Sequence, residues 1–225
     1  MLSEEDNLAL LSQRISELSL RGNTLLLFDF DELVVPIHLT REVTQKVSKP
    51  VDRNALDRLG SCSFQGIRYL NSLAYGYDFE EYKKIREEIA KQTAWTNGFD
   101  RILRSLQEEY SVVFLSSGIK DICQEKLNEI GFDSRNILGG EFKIEGGQII
   151  DSNLIISDEL KGFVIKALKK DFKIIAVGHS LGDKIMLDNA DVSISVNSEI
   201  PNLAKYNVKF AEDVLKIIRN EPPIH

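Results

Sequence analysis

The sequence is poor in cysteine, in long apolar runs and in basic charge, and each shortage narrows the class of protein. Its two cysteines, Cys62 and Cys123, lack partners at metal-ligand spacing, which is typical of free thiols in a reducing compartment. Apolar runs such as 25–28 are far shorter than the ~20 residues that span a membrane. The acidic stretch 1–6 does not resemble a secretory leader. We therefore expect a cytoplasmic protein with no membrane partner.

Acidic side chains outnumber basic ones by 35 to 28 in this chain of 225 residues, which gives a formal net charge of −7. A field of this sign repels polyanions, so we expect no nucleic-acid partner. A small anionic substrate is still compatible with it, because a metal ion or a lysine can reverse the sign of the charge within a cleft. With 43% hydrophobic residues, the chain is long enough for one large domain that carries an insertion.

Apolar segments of strand length alternate along the chain with longer segments of helical periodicity. The strand-like segments are 24–30, 112–115, 174–177 and 192–196, and the helix-like segments are 99–109, 119–130 and 160–170. Strands that alternate with helices are typical of parallel sheets with helical crossovers. The sequence therefore predicts an α/β fold with a Rossmann-like parallel sheet core.

The segment between the first two predicted strands, at about eighty residues, is too long for a loop in a compact domain. It has helical periodicity, for example at Phe79, Tyr82, Ile85 and Ile89. We therefore predict a small helical cap inserted after the first strand. The predicted domains are a core of residues 1–38 and 96–225 and a cap of residues 39–95.

A paired-glycine turn predicts a further element outside the main sheet. Gly146 and Gly147 separate two short apolar segments within 141–150. Glycine pairs between alternating segments are typical of tight β-hairpins. We expect this hairpin to project from the sheet as a flap.

Apolar residues near the start of the chain recur at helical spacing. Leu8, Leu11, Ile15 and Leu18 are separated by three, four and three positions, which predicts an amphipathic helix over 4–20. The apolar face of this helix needs a partner, either the core of the same domain or another subunit. The sequence therefore leaves open whether the protein is a monomer or a homodimer.

Polar residues follow several of the predicted strands, at the edge where open parallel sheets bind their ligands. Asp29 and Asp31 close the first strand, Ser116 closes the second, and Asp183 follows a later one, while Lys161 begins a helix. Two carboxylates so close together are costly unless a cation accompanies them. Mg²⁺ prefers such hard oxygen ligands, and a lysine and a serine can bind a phosphoryl group. The constellation predicts phosphoryl transfer.

The order of these residues along the chain resembles the four ordered motifs of the haloacid dehalogenase-like hydrolases. The motifs are Asp29-Phe30-Asp31, Leu115-Ser116-Ser117-Gly118, Lys161-Gly162 and Gly178-His179-Ser180-Leu181-Gly182-Asp183. One motif alone is a weak signal, whereas four in this order over nearly the whole chain are a specific one. A helical cap after the first motif is similar to the phosphoserine phosphatase-like branch of that superfamily.

The resemblance implies catalytic roles for four residues. Asp29 would be the nucleophile, which forms an aspartyl-phosphate and so divides the hydrolysis into two steps. Asp31 would act as the general acid and base. Ser116 would hold the transferring phosphoryl group, and Lys161 would offset negative charge on that group and on Asp29. The phosphate-binding residues implied in this way are Ser116, Ser117, Gly118 and Lys161.

The resemblance also implies a metal site, and here the chain departs from the family. The implied ligands are Asp29, Asp31 through its backbone carbonyl, and Asp183, with Mg²⁺ as the usual ion. His179 stands where the family has a direct aspartate ligand. Because imidazole suits Mn²⁺, Zn²⁺ or Fe²⁺ better than Mg²⁺, the metal itself is open. Either His179 is a ligand, or it hydrogen-bonds beside a metal that Asp183 binds directly, or metal binding has been lost.

Substrate recognition is the part of the resemblance with the fewest matching residues. The resemblance implies an acidic residue and a cap arginine that grip the amino and carboxylate groups of phosphoserine. His38 occupies the acidic position, Glu42 lies nearby, and Arg68 is a candidate for the arginine. Phosphoserine is therefore one option among the small phosphomonoesters.

We predict a phosphatase that hydrolyses a small phosphomonoester through Asp29. It would depend on Mg²⁺ or, because of His179, on Mn²⁺ or another divalent metal. One alternative is a weakened or inactive member of the family that binds a metabolite or acts as a regulator, since His179 replaces the usual metal ligand. The other is a phosphotransferase, which would pass the phosphoryl group to an acceptor alcohol.

Overall fold

The computed structural model describes residues 2–47 and 51–220, and these contain a sheet of seven strands. The strands are β1 (Thr24–Phe28), β2 (Ser111–Ile119), β3 (Ile137–Glu145), β4 (Gln148–Leu154), β5 (Lys173–Gly178), β6 (Val192–Val196) and β7 (Tyr206–Val208). Their order across the sheet is β4-β3-β2-β1-β5-β6-β7, with every neighbouring pair parallel except β3 and β4. The prediction of an α/β fold with a parallel core sheet is confirmed.

Helices cover both faces of the sheet. Within the described residues they are α1 (Glu4–Ser16), α2 (Leu39–Val47), α3 (Arg53–Leu59), α4 (Phe64–Ser72), α5 (Phe79–Gln92), α6 (Phe99–Glu109), α7 (Lys120–Leu127), α8 (Asp158–Leu168), α9 (Lys184–Asn189) and α10 (Ala211–Asn220). None of the helices in this part of the chain is long and apolar enough to cross a membrane.

The central strand β1 contributes to two hydrophobic clusters, one on each face of the sheet. Leu26 and Phe28 pack in the first cluster with residues of α2, α6, α7 and α10, whereas Leu25 and Leu27 pack in the second with residues of α1, α8 and α9. Successive side chains of a strand point to opposite faces. Because both faces of β1 are buried, its sequence is a continuous apolar run.

Some elements begin or end at residues other than those predicted. The strand predicted over 24–30 ends at Phe28, and a turn follows in which Glu32 has a φ of 59°. The helix predicted over 4–20 ends at Ser16. The three-residue strand β7 and the helix α10 were not predicted.

The β-hairpin predicted over 141–150 is confirmed and is longer than expected. It consists of β3 and β4, joined by Gly146 and Gly147, whose φ angles of 57° and 81° lie in the left-handed region. Glycine adopts that region without steric cost. The hairpin strand β4 also forms backbone hydrogen bonds with the connection between α4 and α5, from Gly76 N to Ile149 O (2.7 Å) and from Ile149 N to Tyr77 O (3.0 Å).

The helices α2 to α5 all lie in the segment that the sequence assigns to a cap. The division into a core of 1–38 and 96–225 and a cap of 39–95 stays a prediction. Residues 1, 48–50 and 221–225, which those boundaries include, lie outside the described residues.

The amino-terminal helix α1 packs on the core of its own chain. Leu11 is buried in the second cluster, and the buried side chain of Asn7 binds one backbone residue twice. Its Nδ2 donates to Ile155 O (2.9 Å), and its Oδ1 accepts from Ile155 N (2.7 Å). Of the two partners that the sequence left open, the structure therefore supplies the core.

Replacing Asn7 with alanine is expected to lower the free energy of unfolding by about 2 kcal/mol, because it leaves both backbone groups of Ile155 buried without a partner. Urea unfolding measures the change. Asn220→Ala, at an exposed position of α10, is the control and should be close to wild type. An Asn7→Ala protein as stable as wild type would show that α1 is not held by this contact.

Candidate active site

The ends of β1, β2 and β5 meet at one edge of the sheet and open into a cavity of about 750 Å³. Asp29 directly follows β1, Ser116 lies within β2, and His179 directly follows β5. The cavity is lined by these residues and by others from the core and from α2, α3 and α4, among them Asp31, Lys161, Asp183, Thr40, Leu56 and Asn71. The polar residues predicted to converge from separate strands do so.

Lys161 connects the two carboxylates that are furthest apart in the sequence. Its ammonium lies 3.0 Å from Asp29 Oδ1 and 2.8 Å from Asp183 Oδ1, and its side chain is 3% exposed. Burial alone would lower the pKa of Lys161, but Asp183 and Asp29 raise it above its ordinary value. A buried charge is tolerated only when it is paired in this way. The lysine is therefore a buried positive charge in the wall of the cavity.

His179 lies against the other oxygens of the same two carboxylates. Its Nδ1 atom is 3.4 Å from Asp29 Oδ2 and 3.4 Å from Asp183 Oδ2, and it is buried with no hydrogen-bond partner among the described residues. Its Nε2 atom is 3.5 Å from Glu32 Oε2. Burial lowers the pKa of His179, but Asp183 and Asp29 raise it to about 10. The imidazole is thus surrounded by carboxylate oxygens.

Asp29, His179 and Asp183 fit a divalent metal site. Each offers one ligand atom, and the three atoms lie within 4.8 Å of one another. Lys161 contacts the Oδ1 atoms of both aspartates, whereas their Oδ2 atoms face the unpartnered Nδ1 of His179. Two carboxylates and one imidazole are a donor set that Mn²⁺, Fe²⁺ and Zn²⁺ accept readily and that Mg²⁺ accepts less readily. Asp31 is not part of this group of three.

The loop after β5 holds Asp183 in place. Its Oδ2 accepts hydrogen bonds from the backbone N–H groups of His179 (2.9 Å) and Ser180 (3.1 Å). Burial alone would raise the pKa of Asp183, but Lys161 and His179 hold it well below its usual range. A Cβ atom on Gly178 would lie 2.7 Å from the Cβ of Asp183, so this close approach requires glycine.

Asp31 is held by the segment that leads into α2. Its Oδ1 accepts a hydrogen bond from Leu39 N (2.8 Å), and its Oδ2 lies 3.1 Å from His38 Nδ1. Burial lowers the pKa of His38, but the charge of Asp31 raises it above its ordinary value. The position at which the resemblance implies an acidic residue therefore carries an imidazole that contacts Asp31.

The turn after Ser116 lies directly beside Asp31. Gly118 N donates to Ser116 Oγ (3.0 Å), and Ser117 and Gly118 both line the cavity. A Cβ atom on Gly118 would lie 2.4 Å from Thr40 Oγ1 and 2.8 Å from Asp31 Oδ2, so any larger residue would displace them. The phosphate-binding role of this turn stays a prediction.

Arg68 differs from the other predicted residues because it does not line the cavity. Its neighbours on α4, Ile67 and Asn71, do so. The Nη2 atom of Arg68 is buried with no hydrogen-bond partner in the described part of the chain. Its predicted contact with substrate therefore has no geometric support.

Asp158 also lines the cavity, although none of the sequence motifs pointed to it. It is the first residue of α8, where Ser157 is the N-cap but makes no side-chain cap hydrogen bond. Asp158 precedes Lys161 by three positions, and residues three apart lie on one helix face. This spacing from Lys161, which the sequence assigns to the site, was the signal that could have predicted Asp158 as a cavity residue.

The chain is similar in sequence to a known protein and in fold to several solved structures. No family model matches the chain. A phosphoserine phosphatase of Archaeoglobus fulgidus is 25% identical over 195 residues, which are 80% of this chain and 54% of that protein. The chain therefore spans about half the length of this curated relative.

Solved structures of two kinds share the fold. One is a phosphoserine phosphatase solved as a phospho-aspartyl intermediate analogue, with a TM-score of 0.65, 18% identity, and coverage of 88% of this chain and 99% of that one. The other is a HAD family hydrolase of Salmonella enterica serovar Typhi, with a TM-score of 0.71, 16% identity, and coverage of 90% and 74%. The chain has the fold of the haloacid dehalogenase-like hydrolases and resembles their phosphoserine phosphatase-like branch, as the order of its motifs predicts.

Proposed function

We propose that this chain is a divalent-metal-dependent phosphatase that hydrolyses a small phosphomonoester through an aspartyl-phosphate on Asp29. The observation that carries the proposal is the buried Lys161, which pairs with Asp29 and Asp183 beside His179 at the edge where three parallel strands end. Similarity to a phosphoserine phosphatase and a shared fold with a phospho-aspartyl intermediate analogue support the same chemistry.

In the first proposed step, a carboxylate oxygen of Asp29 attacks the phosphorus atom. The bond between phosphorus and the ester oxygen breaks, and Asp31 supplies the proton that the leaving oxygen takes. Lys161 offsets the negative charge that the transferring group brings close to Asp29 and Asp183. Ser116 and the N–H groups of the following turn donate to the phosphoryl oxygens.

In the second step, water attacks the phosphorus of the aspartyl-phosphate. Asp31, which lost its proton in the first step, accepts one from this water, and the bond to the Asp29 oxygen breaks. Inorganic phosphate leaves, and both aspartates return to their starting protonation states. The contact of Asp31 with His38 and Leu39 N keeps its carboxyl oriented through both steps.

Asp29, His179 and Asp183 would hold the metal ion. When bound, such an ion stabilises negative charge on the phosphoryl oxygens as a Lewis acid. These three residues supply an imidazole nitrogen as well as carboxylate oxygens, so we propose that Mn²⁺ or a similar ion supports activity at least as well as Mg²⁺.

The substrate we propose is a small phosphomonoester that need not be phosphoserine. His38 occupies the position at which an acidic group would bind an ammonium, and Arg68 lies outside the cavity lining. A panel of phosphorylated metabolites that includes phosphoserine would rank the candidates. A cytoplasmic location, which the unpaired Cys62 and Cys123 favour, belongs to the same proposal.

The main expected effect of replacing His179 is a change in the affinity for divalent metal ions. In His179→Ala, the rise in melting temperature on adding Mn²⁺ should need at least about tenfold more metal, because one ligand is lost. In His179→Asp, the preference should move toward Mg²⁺, since the third ligand becomes an oxygen. The measurement is thermal unfolding of metal-stripped protein titrated with each ion, followed by phosphate release from p-nitrophenyl phosphate.

The two variants also separate the competing interpretations of His179. Wild-type metal affinity in His179→Ala would show that the imidazole is not a ligand. Absence of phosphate release from the wild type with every metal and every phosphorylated metabolite tested would favour the inactive, metabolite-binding alternative over a phosphatase.

A further inference from the structure

Asp158 has an unusual environment within the cavity. The residue is half-buried and lines the cavity, yet its Oδ1 atom is fully buried and accepts no hydrogen bond from the described residues. An ionised carboxylate with a buried, unpartnered oxygen is costly, because burial removes hydration without replacing it. The proposed mechanism assigns this group no role.

Asp158 lies beside the loop that follows β5. A Cβ atom on Gly182 would lie 3.4 Å from Cys62 Sγ, 3.5 Å from Ser180 Oγ and 3.6 Å from Asp158 Oδ1. The glycine thus leaves a methyl-sized space among three polar side chains. Asp158 N also donates to Cys62 O (3.2 Å), so the turn before α4 rests on the start of α8. This hydrogen bond holds the backbone of Asp158 at the cavity wall.

The same helix face carries Asp158 and Lys161. Because they are three positions apart, the two side chains are neighbours on α8. Lys161 pairs with Asp29, the proposed nucleophile, so this face of α8 borders the proposed reaction site. An ionised Asp158 would repel such a group, whereas a neutral carboxyl can donate a hydrogen bond to it.

We propose that Asp158 is a further phosphate-binding residue, whose neutral carboxyl donates a hydrogen bond to an oxygen of the bound phosphoryl group. The inference rests on the proposed function, because it takes the ligand to be a phosphoryl group. In this arrangement the buried Oδ1 is the carbonyl oxygen, and the O–H group at Oδ2 faces the cavity.

Burial and the neighbouring carboxylates favour the neutral form of Asp158. Burial is the main cause that raises the pKa of Asp158, to about 7; Lys161 acts against it, while Asp183, Glu159 and Asp29 act with it. The donor is therefore present below about pH 7 and is lost as the pH rises through that value.

The turn that contacts Asp158 adds no charge of its own. Cys62 is the titratable residue of that turn, and burial raises the pKa of its thiol. The thiol is thus neutral over the range in which the Asp158 carboxyl titrates.

The test is calorimetric binding of sulfate, which resembles a phosphoryl group and stays a dianion between about pH 6 and pH 8. The variants are Asp158→Asn, which keeps a neutral donor, and Asp158→Ala, which removes it. We expect the affinity of the wild type for sulfate to fall about tenfold from the lower to the higher pH. Asp158→Asn should bind sulfate tightly at both pH values. At the lower pH, Asp158→Ala should bind sulfate about tenfold more weakly than the wild type does. Asp171→Asn, the same change at an exposed aspartate outside the cavity lining, should follow wild type.

Three results would overturn the proposal: sulfate that does not bind the wild type saturably, an Asp158→Ala protein with wild-type affinity, or an Asp158→Asn protein with the wild-type pH dependence. Thermal unfolding of each variant shows whether it is folded. Because sulfate binding requires no turnover, this proposal and the phosphatase proposal fail separately. A protein that binds sulfate through Asp158 but releases no phosphate would contradict only the latter.

Discussion

Asp29→Asn is expected to abolish metal-dependent phosphate release, with a fall in kcat of about 10,000-fold or more, since an amide cannot form the aspartyl-phosphate. Folding should persist, because the amide oxygen can still accept the hydrogen bond from Lys161 and Asp183 remains as the partner of its charge. The measurement is hydrolysis of p-nitrophenyl phosphate with the metal that best activates the wild type, together with thermal unfolding of both proteins.

The control for this variant is Asp171→Asn, which makes the same chemical change at an exposed aspartate outside the cavity lining. It should leave both rate and stability close to wild type. A rate in Asp29→Asn equal to that of wild type would disprove the proposed nucleophile. Trapping of radiolabelled phosphate on wild-type protein but not on Asp29→Asn would identify the covalent step directly.

Lys161→Met is expected to remove activity and also to lower the free energy of unfolding at neutral pH by about 3 kcal/mol. The reason is that Asp29 and Asp183, 6% and 1% exposed, would face each other without the ammonium between them. The loss of stability should shrink as the pH falls, because a proton on either carboxylate relieves the repulsion. Urea unfolding over a series of pH values measures both effects.

A second lysine on the same helix supplies the matched control. Lys166 is exposed on α8, so Lys166→Met removes the same charge without depriving two buried carboxylates of their counter-ion. It should change stability by less than about 0.5 kcal/mol and leave turnover unchanged. Divalent metal should restore part of the stability of Lys161→Met, because a cation again lies near the two aspartates. Equal stability of the two variants would contradict the role of Lys161 as a structural counter-ion.

Much of the candidate site followed from the order of residues along the chain. Asp29, Ser116 and His179 each lie at or near the end of a parallel strand, and the carboxyl ends of parallel strands meet at one edge. An apolar run followed by a polar residue is therefore enough to place a side chain at that edge. The same periodicity predicted the α/β class, because strands buried on both faces and amphipathic helices have different repeats.

Which side chains touch was decided only by the tertiary structure. Lys161 could have been a solvated helix charge, and its contact with both Asp29 and Asp183 depends on the rotation of α8 against the sheet. The same packing brings Asp158 into the cavity wall, while the rotation of α4 leaves Arg68 out of it. The sequence shows which face of a helix is apolar. The exact rotation of the helix about its axis determines which residues at the edge of that face reach a cavity.

The packing of α1 likewise depends partly on the sequence pattern and partly on the tertiary structure. Its sequence required that an apolar face be covered, and the hydrophobic spacing alone is satisfied equally by the core or by a second subunit. Contacts of Asn7 with Ile155, residues far apart in the chain, settle the matter in favour of the core. The sequence by itself determined the class of fold and the chemistry of the strand ends, since both arise from local patterns. Only the folded chain decided the pairings of buried charges, because those depend on distances between residues that are remote in sequence.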